Sequence, residues 1–565
     1  MSKIFFHIQR DKNLKKVDYS SILKKLNPTD SSNTLIEKEN LVIGISNDNN
    51  AVIKNERYVV LGAFFDDYEN EYEFGLPVPN GLSAMFKFDE SGRLEVLTNK
   101  LASRTIWYYF DEKELIVSTS QRAIINIIGN YEHNNQASSW LISAGNIGPG
   151  YSWDKRIVHL NYDRVISFDK KNWRLNTEKV NEFTIENKES NKKPEDFENI
   201  LLNSLKRTHL KNQKPVLTLS GGYDSRFVMG EISPNHPNLE TMTWGIKSSL
   251  VEKDTDGYIA KTVSETKSIP FHFFDVEWRE SDFGKFLKKY IEAGEGRIDH
   301  MSNYMDNFSM WEKVSDMGFT TVIRSDEVFG WVPVADEKNV RLLLEMCYIH
   351  DFSNFKRMGE YDMEETIIPE EYLKRADETL YSWRDRLFNI QRQTFVQAAL
   401  HDLFYPYVEM VNPLFSNEIV NYTRELNDKE RTSKNFYIKA IKKHVNYLPI
   451  ASRPSYPKRE YVLKSKEAVS YFKELLNEPQ TKDYISIELI KYIIQNIREN
   501  PKLIQKSNSR IRTWLSENLP PFLKNKLRKN FRSFDLDYNL VAFRISMIMM
   551  WISIIEEDLK EINEK

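Results

Sequence analysis

Two rhythms of apolar and polar positions divide the chain. Up to about residue 185, short apolar runs alternate with polar breaks. The runs at 58–65, 84–88, 105–110 and 115–119 are rich in Val, Ile, Phe, Tyr and Trp, which predicts strands. Asp89-Glu90-Ser91-Gly92 and Asp111-Glu112-Lys113 supply turn chemistry between neighbours, so the strands are expected to pair as antiparallel hairpins, with a helix at 120–128 laid on them. Residues 181–195 turn polar and read as a linker. A helix is expected after it, with Pro194 in its first turn and Phe197, Ile200, Leu201 and Leu205 on one face.

Beyond the linker, apolar runs at 216–219, 241–244, 271–274 and 320–323 are separated by helical periodicity, as at 256–264. Strands alternating with helices predict a parallel, doubly wound sheet. From about 361 the pattern is helical, ending in a helix near 540–559. The expected architecture is an α+β, sandwich-like domain over 1–187, then an α/β doubly wound domain over 188–565 with a helical C-terminal extension.

A chain of 565 residues exceeds what one core usually organises, and 41% hydrophobic with 28% charged residues is ordinary for a globular protein. The formal charge of −3 gives no reason to expect nucleic acid. The single cysteine, Cys347, excludes an internal disulfide and thiolate-rich metal sites. The opening residues turn polar at once, so no signal peptide is expected. The apolar stretch 545–555 is shorter than the roughly 20 residues of a spanning helix, so it reads as buried; no membrane is expected and the cytoplasm is the default location. The basic run 524–532 reads as a solvated helix end, and neither a His-Glu-x-x-His pair nor a Gly-x-Ser-x-Gly elbow occurs.

The candidate chemistry begins after the strand at 216–219. Ser220-Gly221-Gly222-Tyr223-Asp224-Ser225 lies between that strand and a helix. Two glycines let the backbone approach an anion, the helix start offers N–H groups, and Ser220 and Ser225 add hydroxyls. Asp224 beside phosphates implies a divalent cation between them. No Gly-Lys-Ser/Thr follows, so this is not a Walker loop. The set reads as a cradle for pyrophosphate and magnesium. It resembles the Ser-Gly-Gly-x-Asp-Ser motif of the asparagine synthetase family of N-type ATP pyrophosphatases, which includes β-lactam-forming synthetases and lasso-peptide cyclases. The resemblance implies ATP and Mg2+ at this loop, adenylation of a carboxylate, and attack by an amine.

Ser325-Asp326-Glu327-Val328-Phe329-Gly330 is similar to the second motif of that family, which implies Asp326 as a metal ligand opposite Asp224. Where the family places an acid or a tyrosine to manage the amine's proton, this chain has Ile323. Val408-Glu409-Met410-Val411-Asn412-Pro413 resembles a further family segment and makes Glu409 the candidate for handling the amine, expected on a helix. Lys458, in 453–460, is the candidate for charge developing on pyrophosphate, with Lys434 as the alternative. Trp244-Gly245 resembles the strand beside adenine, and Asp256 reads first as a cap.

Leu61-Gly62-Ala63-Phe64, Arg104-Thr105-Ile106-Trp107-Tyr108-Tyr109 and Ser118-Thr119-Ser120-Gln121 resemble the glutaminase half of asparagine synthetases. That resemblance implies a fold of the N-terminal-nucleophile kind. The glutaminase needs a cysteine where this chain has Ser2, and its glutamine-holding segments are missing. The domain is therefore expected to be non-catalytic. The implied activity is an ATP-dependent, glutamine-independent amide ligase. Its substrate would be a small molecule or peptide offering a carboxylate and an amine, with partner proteins of a biosynthetic pathway. An ATP-binding pseudoenzyme and ammonia-dependent asparagine synthesis remain as alternatives.

Overall fold

The computed structural model describes residues 3–11, 16–27, 32–38, 41–49, 52–65, 73–76, 79–187, 191–208, 210, 213–278, 282–330, 332–456, 459–499 and 534–564. It is a mixed α/β structure with two antiparallel sheets and one parallel sheet. The strands of the antiparallel sheets are β1 (Lys3–Gln9), β2 (Thr34–Lys38), β3 (Leu41–Ser46), β4 (Val52–Lys54), β5 (Tyr58–Phe64) and β6 (Gly81–Phe88), continuing with β7 (Leu94–Thr98), β8 (Trp107–Phe110), β9 (Glu114–Ser118), β10 (Val158–His159), β11 (Arg164–Asp169) and β12 (Arg174–Lys179). One sheet runs β10-β8-β9-β1-β3-β2 and the other β12-β11-β7-β6-β5-β4.

Alternation explains how the two sheets meet. Side chains of a strand face opposite sides in turn. Ile4, Phe6 and Ile8 of β1 therefore share one apolar layer with Ala84, Phe86 and Phe88 of β6, and the Phe6 and Phe86 rings stack at 4.8 Å. Phe5 and Ile116, pointing the other way, join a second core with the helix Gln121–Ile128. Ser120 caps that helix by accepting from the Ala123 N–H, and Gly129 ends it in the left-handed region at φ 80°.

The helix Pro194–Arg207 leads into the parallel sheet, with Phe197, Leu201 and Leu205 buried as their spacing predicts. Its strands are β13 (Pro215–Thr218), β14 (Glu240–Gly245), β15 (Phe271–Asp275), β16 (Thr321–Ile323) and β17 (Glu409–Val411), in the order β15-β14-β13-β16-β17. All four pairings are parallel. The order reverses between β13 and β16, which makes a crevice at their carboxyl ends.

The largest apolar core is continuous across the chain. It contains Phe5, Trp107 and Ile124 from the first part with Val216, Leu217, Val322 and Ile555 from the rest. The expected boundary at 187–188 adjoins residues 188–190, which lie outside the described residues, as do Ser2 and the basic run 524–532. The terminal helix is longer than its pattern indicated, Tyr538–Asn563, and 83% of its most apolar window is buried in the protein. Arg544 on it donates to Asp299 and to the carbonyls of Ile142 and Ser143, stitching early and late segments together.

Glu409 differs from its expectation. It begins β17 rather than sitting on a helix, and it is buried. Arg104, in the connection between β7 and β8, donates from Nη2 to both of its carboxylate oxygens, and the guanidinium lies 3.6 Å over the Tyr405 ring. A buried carboxylate needs such a partner. Replacing Arg104 with methionine leaves Glu409 buried and uncompensated, so it should cost about 3 kcal/mol or more in denaturant unfolding. Adding Glu409→Gln to Arg104→Met should recover most of that loss, and an additive double variant would contradict the coupling.

Candidate active site

Loops after β13 and β16 meet at the crevice. After β13 the chain runs through Leu219 to Gly222 and enters the helix Tyr223–Ile232. The loop is pinned internally: Ser225 Oγ accepts from the Ser220 N–H at 3.0 Å, and Ser220 Oγ accepts from the Gly222 N–H at 3.2 Å. Gly222 provides no side-chain cap, so the first N–H groups of the helix face the crevice end without one.

The reason for Gly221 is close approach to the protein itself. A Cβ there would lie 2.3 Å from the Cβ of Ala451, and at Gly245 one would lie 2.5 Å from the Ser455 carbonyl oxygen. Residues 451–456 form a strap over the sheet's carboxyl edge, with Ala451 N–H donating to Gly221 O and Ile246 N–H to Ser455 O. Asp256 does not cap its own helix, since Thr255 does. Asp256 instead accepts from the Gly221 N–H at 3.0 Å, and burial raises its carboxyl above the usual range.

A cavity of about 460 Å³ opens here. Ser220, Asp224, Ser225, Asp256 and Asp326 line it, so both candidate metal ligands face one space. Gly221 and Gly222 form the loop behind these side chains and Glu409 does not line the cavity. The expectation that Glu409 handles an amine fails on that geometry, because Arg104 occupies its carboxylate. Lys458 lies outside the described residues. Ile323 is fully buried at the end of β16 and presents no proton acceptor.

Lys434, the alternative candidate, is the cation at the centre. Its Nζ is 2.8 Å from Asp224 Oδ2 and 2.8 Å from Glu327 Oε1, bridging the two loops. Burial works against its charge, but Glu327 and Asp224 hold its pKa well above the ordinary lysine value. Burial raises Glu327, Lys434 opposes that rise and Asp224 reinforces it. Burial would also raise Asp326, but the Arg324 guanidinium at 3.1 Å holds it below the usual carboxylate range. Ser433 and Lys434 both sit in the left-handed region, at φ 56° and 54°. Each non-glycine residue there costs about 1 kcal/mol or more. Arg431, tied to Asp385 at 2.5 Å, anchors the turn that bears this strain.

The far wall is a π-helix, Phe388–Gln397. Phe388, Arg392, Gln393 and Gln397 face the cavity, spaced at the wider turn of that helix rather than at 3.6 residues. Trp244 forms another wall and donates from Nε1 to Asn303 at 2.9 Å.

Among the described residues no three His, Cys, Asp or Glu side chains group to hold a metal ion. Magnesium characteristically takes one or two carboxylates together with phosphates and waters; Asp224 and Asp326 are the carboxylates that could serve it within a nucleotide complex, once Asp224 leaves Lys434 and Asp326, both of whose oxygens accept from Arg324, leaves that guanidinium. No family model and no curated protein matches the chain. Among solved structures, a glutamine phosphoribosylpyrophosphate amidotransferase from B. subtilis, complexed with ADP and GMP, is similar at 7% identity and a TM-score of 0.21. The match covers 57% of this chain and 90% of that one, and a likeness this slight carries no argument about chemistry.

Replacing Lys434 with alanine removes the cation that Asp224 and Glu327 share. Added Mn2+ should then raise the melting temperature of Lys434→Ala by about 2 °C or more, with little effect on the wild type. An equal response of both proteins would contradict the bridging role.

Proposed function

We propose that the protein is an ATP-dependent, AMP-forming ligase that joins a carboxylate to an amine without its own glutaminase. The observation that carries this reading is the pairing of two loops at the reversal of the parallel sheet. One is a Ser-Gly-Gly-x-Asp-Ser loop opening a helix, the other Ser325-Asp326-Glu327, and both face one cavity. Those loops resemble the asparagine synthetase family, and in this reading the two antiparallel sheets are its degenerate glutaminase half.

In the first step a substrate carboxylate oxygen attacks the α-phosphorus of ATP, the bond to the bridging oxygen breaks, and pyrophosphate leaves. Ser220, Ser225 and the N–H groups at the start of the helix hold the departing phosphates. Asp224 and Asp326 would hold magnesium, which supplies charge neutralisation to the leaving group. Lys434 takes the role first assigned to Lys458: released from its two carboxylates, its ammonium meets the negative charge on pyrophosphate. In the second step the amine nitrogen attacks the acyl carbon, AMP leaves, and the nitrogen gives up a proton.

The amine attacks in its neutral form, and since neither Ile323 nor Glu409 is placed to accept the proton released afterwards, it leaves with the AMP phosphate or passes to water. The same two residues are the specific support for a second reading, an ATP-binding pseudoenzyme. A panel of carboxylates scored for MgATP-dependent pyrophosphate separates the two. The ligase reading expects release with at least one carboxylate, and Asp224→Ala should lower it by about 100-fold or more. Silence across the panel, or an unaffected Asp224→Ala, would favour the pseudoenzyme; release with aspartate and ammonia would identify asparagine synthesis.

A further inference from the structure

The π-helix wall of the main cavity carries a polar group that nothing in the protein satisfies. Gln393 lines the cavity and is 5% exposed, and its Oε1 is enclosed without a hydrogen-bond partner. An unpaired buried acceptor lowers stability, and native structures keep few of them. The backbone is unusual at the same place. Ala398 N–H donates to the Gln393 carbonyl, five residues back, which widens the turn to π spacing. Such turns are rare and are frequent at functional sites. Here the wider turn puts Phe388, Arg392, Gln393 and Gln397 on one cavity-facing side.

The chemistry of that side is mostly neutral. Gln393 and Gln397 are carboxamides, and Asn303, which accepts from Trp244 Nε1, adds a third elsewhere in the lining. Of the four helix residues only Arg392 is charged, and its partner Glu345, 2.8 Å away, does not line this cavity. A wall whose one charge is a guanidinium suits an anionic reactant. Carboxamides both donate and accept, which matches hydroxyl groups, each a donor and an acceptor as well. Several carboxamides around one space therefore suit several hydroxyls on one carbon skeleton, and the Phe388 and Trp244 rings can cover its C–H face. At about 460 Å³ the cavity lies toward the small end of the roughly 300–1,000 Å³ usual for a single ligand. An acid that shares it with a nucleotide is compact.

We infer that the π-helix wall binds the acid to be activated, and that this acid is a polyhydroxylated carboxylate of the sugar-acid class. Gln393 Oε1 accepts from one of its hydroxyls, brought to the cavity by rotation about the soft terminal torsion of the side chain. The assignment deepens the proposed function and rests on it, since it names the acid that the ligase would adenylate.

The test is ligand-observed NMR titration of the full chain with Mg2+ and α,β-methylene-ATP present. The probes are D-glucuronate, D-galacturonate and D-gluconate, set against cyclohexanecarboxylate, which has the carboxylate but no hydroxyl. At least one hydroxy acid should bind the wild type more tightly than cyclohexanecarboxylate. Gln393→Met keeps the length of the side chain and removes the amide. It should weaken that hydroxy acid by about fivefold or more and leave cyclohexanecarboxylate and the nucleotide analogue unchanged. Without ligands Gln393→Met should melt no lower than the wild type, because no internal bond to Oε1 is lost. A lower melting temperature with all binding unchanged would show a structural role instead. The assignment is also overturned if no hydroxy acid is preferred, if the preference survives Gln393→Met, or if only the nucleotide is weakened, which gives the amide to the ribose. Should Gln393→Met not fold, the wild-type comparison and Gln397→Met, expected to lower the same preference, decide the case. Pyrophosphate release with the same acids separates the two readings. A preferred hydroxy acid without release leaves the wall's assignment standing and removes the ligase; release with cyclohexanecarboxylate alone keeps the ligase and removes the assignment.

Discussion

One ammonium holds the carboxyl end of the parallel sheet together. Asp224 lies in the first turn of the helix after β13 and Glu327 follows β16, and the switch in strand order brings both into the same crevice. Two carboxylates in one enclosed space repel unless a cation is shared, and Lys434 supplies it from a strained turn. Buried ion pairs roughly break even in stability, so the bridge is better understood as fixing geometry. In the proposed reading, that places a cation in the same cavity as the helix start before any phosphate arrives, the advance organisation that stabilising a charged leaving group requires.

Described residues from the first part of the chain bond directly to residues of the second. Arg104 satisfies Glu409 on β17, Asn146 holds the backbone of Glu345, and Ser120 and Lys3 both bond Glu295. These contacts place groups from the first region around the rest of the fold, whatever chemistry that region has of its own. Glu409 shows the consequence. Its family-like segment is present, yet the carboxylate is spent on an internal ion pair.

Much of the fold was legible because its signals are local. The apolar run at 216–219, the glycine pair and the helical pattern after them located the first loop to within a residue, and the same held for 241–244 and 271–274. That Asp224 and Asp326 line one cavity was legible for the same reason. Lys434 was less so, because nothing in Thr432-Ser433-Lys434 signals two successive left-handed residues. The wall at 388–397 was hidden because its cavity-facing residues follow a π-helical spacing, whereas periodicity is read at 3.6. Glu409 was misplaced because a three-residue strand has too few positions to show alternation. Gly221 was assigned to an anion and Gly245 to the strand beside adenine, yet both are also demanded by a strap from 451–456 that is distant in sequence.

The most direct measurement is a crystal structure with α,β-methylene-ATP and Mg2+ bound. The phosphates should lie at the start of the helix Tyr223–Ile232, with a metal touching Asp224 and Asp326 and the Lys434 ammonium moved from Asp224 and Glu327 onto a phosphate oxygen. A nucleotide seated elsewhere, with the Lys434 bridge intact, would contradict it.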